Sequence, residues 1–278
     1  MYRHLLVPID GTDSSIDAVS QAVNLARELG ARVTFCHTPR DQPASLAAER
    51  LAKAESAARA HGVPCASISA SPLHRAALAS AQEAGCDLIV MPGPAQNQGL
   101  FAETTIPVLV CASAEPSAAA RTIAAIRDDH RALAAVVHAL LHLFSINADG
   151  RTVPDAALLL AGVRYLQGFS LGVHHPKEEL HLFSKLRQRT SLYDSELAEL
   201  ERQHAREARL IDELIGMAEL GVESAKRSEE FQPAVERFAS FLWEHYGREE
   251  GVILPAAQRY LRPEDWADIE NALFGAGG

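Results

Sequence analysis

The sequence predicts two folds in series, an α/β domain built on a five-stranded parallel sheet and then an all-α, four-helix up-and-down bundle. Three observations carry this prediction. Up to about residue 112, short apolar runs alternate with longer amphipathic ones. Beyond the small, polar stretch "ASAEPSAAA" at 112–120, no strand-like run recurs. The 278 residues, 47% of them hydrophobic, suffice for two cores. The division drawn is a domain at 1–113, a linker at 114–120 and a helical domain at 121–278.

Five runs read as strands: HLLVPID (4–10), RVTFCH (32–37), PCASIS (64–69), DLIVMP (87–92) and PVLVCA (107–112). Between the first of them lie helically spaced segments, 14–29 and 44–60, ended by Gly30 and Gly62. Strand–helix–strand repetition implies parallel pairing with right-handed crossovers. PVLVC would leave an apolar strand at the sheet edge, and such edges are commonly covered by a second copy, so a homodimer is expected. The helical half reads as 118–146, 154–189, 192–222 and 229–261, with a short closing helix begun by Pro263; Pro154 suits a first helical turn. "NADGRTVP" and "ELGVES" supply the breaks.

Charge and composition exclude several functions. A formal net charge of −10 offers no basic surface for nucleic acid. No uninterrupted apolar run is long enough to span a bilayer, and MYRHLLVPID lacks a secretory pattern, so a cytoplasmic protein is expected. Cys36, Cys65, Cys86 and Cys111 lack CxxC spacing and read as buried free thiols. Histidine is the skewed residue, since eight of the twelve follow residue 120.

Stepping each helix at about 100° per residue places those histidines. In the first helix, Ile123, Ile126, Leu133, Val137, Leu140 and Phe144 define a stripe that contains His130, whereas His138 and His142 lie off it. In the third, Leu197, Leu200, Ile211 and Ile215 share a stripe with His204. In the fourth, Phe231, Val235, Phe238, Leu242, Val252, Ile253 and Ala256 share theirs with His245 and Glu249, while Glu250 is turned roughly 100° away. The second helix carries "HHPKEELHLF" at 174–183. There Leu171, Leu182 and Leu186 put His175 near the inner face, His174 and Glu178 to one side and Glu179 to the other. "HHPKEELHLFSKL" and "HYGREEGVILPAA" share an HxxxEE frame that matches His174 with His245 and Glu178 with Glu249. Glu179 and Glu250 read as solvated charges. Carboxylates among apolar side chains need partners, and inward histidines plus glutamates satisfy one another best around cations. Imidazole and carboxylate without thiolate suit iron or manganese better than structural zinc.

These residues resemble the hemerythrin family, specifically the HHE cation-binding domains, over about 120–262: His130 in "DDHRAL", "HHPKEE", His204 in "ERQHAREARL", and "HYGREE" ending in "ILPAA". The resemblance implies a non-haem di-iron centre. It assigns His130, His174, His204 and His245 as terminal ligands and Glu178 and Glu249 as bridges, with His175 as a possible substitute ligand. Respiratory hemerythrins use a further histidine one turn before the third-helix ligand, where this chain has Leu200.

The first half is similar to the universal stress protein family, through "HLLVPIDGTDSSIDAVSQAVNLARELGARVTFCH", "DLIVMPG" and "IPVLVC". Adenylate-binding members follow the fourth strand with a GxxGx9G(S/T) loop. Here Asp10, Gly93 and Gly99 remain, but the third glycine and its Ser or Thr are missing, so ATP is not expected and the domain reads as a dimerisation scaffold. The function expected is a di-iron stress protein that binds or senses O2, NO, an oxidant or iron, with no catalytic residue assigned. Weak iron-oxidase or peroxidase-like turnover would use the same site. The alternative is an adenine-nucleotide-binding regulator whose helical half is a metal-free interaction module.

Overall fold

The computed structural model describes residues 2–37, 44–69, 79, 81–93, 104–111, 117–145, 155–220 and 225–274. Residues 114–116 of the expected linker, Gly99 and Pro154 lie outside them. The chain forms two compact units, Met1–Pro116 with Trp243–Pro255, and Ser117–Leu242 with Ala256–Gly278. The change of period along the sequence gave no sign that a short C-terminal segment would group with the sheet.

The first unit is built on β1 (His4–Ile9), β2 (Arg32–His37), β3 (Cys65–Ser69), β4 (Leu88–Pro92) and β5 (Val108–Cys111), all parallel in the order β3-β2-β1-β4-β5. Side chains alternate across such a sheet. Leu5, Val7 and Ile9 join one core with Val33, Phe35, Leu88 and Val90, while Leu6 joins another with Cys36, Ile89 and Met91. Burial on both faces explains why HLLVPI reads as one continuous apolar run. Helix α1 (Asp13–Leu29) starts where the Thr12 side chain accepts a hydrogen bond from Ser15 N, and ends at Gly30 (φ 64°), whose N–H returns to Ala26 O. It contributes Ala18, Val19, Ala22, Val23 and Ala26 to the first core, and α2 (Ala44–Ala60) contributes Ala54 and Ala58. β5 is one of the two edges of the sheet, with Leu109 42% and Val110 40% exposed. The cysteines are free thiols, and desolvation pushes those of Cys36 and Cys86 up to about 11.

The C-terminal half is helical: α3 (Ala118–Ser145), α4 (Ala156–Arg189), α5 (Asp194–Glu219), α6 (225–260) and α7 (Pro263–Phe274). Every residue named for the first, third and fourth helical stripes is buried. Arg189 donates to both oxygens of Asp265 at 2.7 Å, tying the end of α4 to the start of α7. Asp265 also accepts from Arg262 N at 2.9 Å, as an acid in a first helical turn does.

Two helices depart from α geometry. In α4, Gln167–His174 and Glu178–Phe183 are π-helical, and in α6 so is Glu249–Ile253. His175 N–H reaches back five residues to Ser170 O, and Leu254 N–H does the same to Glu249 O. α4 also corrects the expectation about membrane length. With mean hydropathy 1.4 over 18 residues it is long and apolar enough, by length and composition, to cross a bilayer. Counting uninterrupted apolar runs missed it because polar residues are interspersed.

Candidate metal centre

The geometry centres on Glu178. It is buried on α4, and its two carboxylate oxygens face different histidines. Oε1 lies 3.5 Å from His174 Nε2 and 3.7 Å from His130 Nε2, while Oε2 lies 3.5 Å from His204 Nε2. These separations are long for hydrogen bonds. They match the spacing of two atoms that each bind one cation at about 2.0–2.2 Å. Burial opposes ionisation of Glu178, but His174, then His130 and His204, hold its carboxyl well below the usual range.

On α6, His245 Nε2 lies 3.3 Å from Glu249 Oε1, one turn on, and both side chains are buried. Donor atoms of His130, His174, Glu178 and Glu249 lie within 4.8 Å of one another, as do those of Glu178, His204, His245 and Glu249. A third group, His175, His204 and His245, meets the same limit. The first two groups share both glutamates. All donors are imidazole or carboxylate with no thiolate, and they are buried at the spacing cations require, so the residues fit iron.

A further layer of acids fixes the rings. Glu179 Oε1 accepts from His204 Nδ1 at 2.6 Å, and Asp129 Oδ2 lies 3.5 Å from His174 Nδ1 and 2.8 Å from Lys177 Nζ. A carboxylate only accepts, so His204 Nδ1 carries a proton towards Glu179, and Nε2 is the nitrogen that faces Glu178. The bond from His204 keeps the Glu179 carboxyl below its ordinary range. Burial pushes Asp129 up, and His174 and Lys177 outweigh it, so its carboxyl is also lowered. His175 is turned the other way: its Nε2 lies 3.1 Å from Ser170 Oγ and 3.3 Å from Glu207 Oε2, and Ser170 donates to Glu207 at 2.5 Å. The His175 and His204 rings stack with centroids 3.8 Å apart.

His130, His204, His245 and Glu249 are buried, on the inner stripes of α3, α5 and α6 where the 100° rule puts them. On α4 the rule breaks, because π turns advance less than about 100° per residue and bring His174, His175 and Glu178 inward together. Two expectations are corrected. Glu179 is the hydrogen-bond partner of His204 rather than a plain solvated charge. Glu250 is 4% exposed and pairs with Lys53 Nζ at 3.0 Å, because the π turn rotates it off the solvent side. Glu207 and Ser170 were missed. Glu207 follows His204 by three residues, a spacing that places both on one helix face and could have revealed it.

The nucleotide candidates are less assembled. Asp10 Oδ1 accepts from Thr12 N at 2.9 Å and Thr12 Oγ1 at 2.8 Å, closing the turn before α1. Gly93 follows β4, the neighbour of β1, and Gly99 lies outside the described residues. Gly11 (φ 83°) has the Arg50 guanidinium packed on its Cα, and Arg50 Nη1 reaches His37 Nε2 at 3.5 Å.

Comparison with known proteins agrees with this layout. Residues 121–257 match the model of the hemerythrin HHE cation binding domain, and residues 1–99 match that of the universal stress protein family. A comparison with curated proteins finds no match. Similar solved structures include a universal stress protein family member from Burkholderia pseudomallei, at 25% identity and TM-score 0.34, over 40% of this chain and 96% of that one. Another is a universal stress protein from Archaeoglobus fulgidus, at 19% identity and TM-score 0.35, over 40% and 98%.

Proposed function

From the premise that this chain joins a universal stress protein domain to a hemerythrin HHE domain, we propose that it is a non-haem di-iron protein that binds or senses O2, NO, an oxidant or iron. The observation that carries the reading is the Glu178 carboxylate, which directs one oxygen to His130 and His174 and the other to His204. Glu249 stands in both four-residue groups, as a second bridge would. A pair of irons, when bound, supplies redox chemistry with small oxidants and diatomic gases. The chain's own residues set the terms of that chemistry. Glu179 holds the His204 proton on Nδ1, so Nε2 is the nitrogen that would coordinate, and Asp129 stands 3.5 Å from His174 Nδ1 on the side away from Glu178. Leu200, one turn before His204, is buried and donates no ligand, so α5 supplies fewer donors than in respiratory hemerythrins. His175 Nε2 is engaged by Ser170 and Glu207, so His175 coordinates only through its other nitrogen or after giving up that contact.

Metal analysis and an optical spectrum on anaerobically purified full-length protein test the reading. Two irons per chain, with near-ultraviolet absorption after exposure to air, are expected. Zinc, or much less than two irons under iron-replete conditions, refutes it. The sheet domain is read as a dimerisation scaffold through β5 rather than a nucleotide receptor, because the Arg50 guanidinium lies on Gly11 at the carboxyl end of β1, where an open parallel sheet offers its ligand crevice. Calorimetry with ATP is expected to give no saturable heat, and tight binding would restore the nucleotide alternative.

A further inference from the structure

We propose that Lys53, on α2, is a positioning residue for the metal-bearing turn of α6, acting through the residues that follow His245 and Glu249. The inference rests on reading those two as ligands. Lys53 and the whole of Trp243–Pro255 belong to one compact unit.

Lys53 touches the neighbour of each ligand. Its Nζ lies 3.0 Å from Glu250 Oε1, directly after Glu249, and 5.3 Å from the centre of the Tyr246 ring, directly after His245. Glu49, one turn earlier on α2, lies 3.4 Å from the same ammonium. Burial would lower the Lys53 pKa, but Glu250 and Glu49 outweigh it and raise it, so the ammonium is retained. A half-buried charge flanked by two carboxylates has few alternative positions, which makes it a stiff support.

The backbone of the turn is held from the same side. Gly247 and Gly251, spaced by four, face α2. A Cβ on Gly247 would collide with the Lys53 carbonyl and lie 2.8 Å from Lys53 Cα, and one on Gly251 would collide with the Ala57 side chain. Only glycine permits that approach. Pro255 has no N–H, so it cannot serve the carbonyls of Gly251 and Glu250, the acceptors four and five residues before it. Those two carbonyls are met instead by His61 Nε2, at 3.4 Å from Gly251 O, and by Ser20 Oγ, which donates to Glu250 O at 3.3 Å. Ser56 Oγ donates to Glu244 O at 2.6 Å, just before His245. The π turn that carries Glu249 thus has its displaced carbonyls and its adjacent carboxylate met from α1, from α2 and from His61 just beyond the end of α2.

The test uses the full-length chain in anaerobic ferrous-iron titrations against a competing chelator, with melting temperatures of the metal-free proteins measured alongside. Lys53→Met is expected to weaken iron binding by about 10- to 100-fold, the range for residues that orient ligands, and Lys53→Arg to recover most of it. Glu250→Gln removes the same ion pair with little change of shape and is expected to weaken binding similarly, so it decides the question if Lys53→Met fails to fold. A purely structural role predicts lower melting temperatures with unchanged affinity, and that result overturns the inference while leaving the metal reading intact. Wild-type protein that binds no iron overturns the metal reading, and the inference with it.

Discussion

Replacing Glu178 with glutamine is the sharpest perturbation of the proposed centre. The amide keeps the volume but presents an NH2 group where one oxygen faced His174 and His130 or His204, at 3.5–3.7 Å. It therefore cannot bridge two cations. At free iron 100 times the dissociation constant, each occupied site stabilises the fold by about 2.7 kcal/mol. If Glu178→Gln raises both constants about 100-fold, the contribution falls to about 0.4 kcal/mol per site, a loss of about 4–5 kcal/mol over two sites. At about 2–4 °C per kcal/mol for a unit of this size, the iron-loaded variant should melt roughly 10 °C or more below wild type. Scanning calorimetry at matched free iron, with stoichiometry measured on the same samples, provides the assay. A variant that still binds two irons, with the wild-type increase in melting temperature on loading, would refute the bridging role.

Other expectations follow from the same geometry. Glu179→Ala removes the 2.6 Å acceptor of His204 Nδ1, and should weaken iron affinity about 10-fold while changing metal-free stability by no more than about 1 kcal/mol, read by chelator competition and urea melts. Asp265 is held at about 2, below its ordinary 3.8, by Arg189 first and by the Arg262 amide. A depressed carboxyl stabilises the fold above its unfolded pKa and loses that contribution as the pH falls through the folded value. Asp265→Asn should therefore cost about 2 kcal/mol in metal-free protein at neutral pH, and the gap from wild type should close between about pH 4 and pH 2 in denaturant titrations. Val110→Lys puts a charge on the exposed edge strand and should convert a dimer to a monomer in light scattering, whereas an unchanged mass would place the interface elsewhere.

What the sequence revealed depended on regularity. β1 and β2 announced themselves because both faces are buried, and His130, His204, His245 and Glu249 were placed by a constant angular step that α3, α5 and most of α6 obey. That step failed where the backbone left it. On α4 the two π segments brought three potential donors inward, and at 249–253 another turned Glu250 to Lys53. Neither shift has a period that a pattern search detects. Gly247 and Gly251 stand four apart in GREEG, yet nothing in one chain's sequence states which surface such a pair will meet. Lys53 was invisible for the same reason, since Glu250 and Tyr246 lie almost two hundred positions away.

The grouping of Trp243–Pro255 with the first 116 residues bears on how the molecule can be dissected. Severing it at the stretch between the two sequence patterns would remove from the N-terminal piece the amino acids that Gly247 and Gly251 belong to, and bare the side of α2 that they cover. Neither recombinant half would then be a faithful copy of its counterpart in the intact polypeptide. Truncations meant to assign activities to one part or the other should accordingly be replaced by point substitutions in the whole chain.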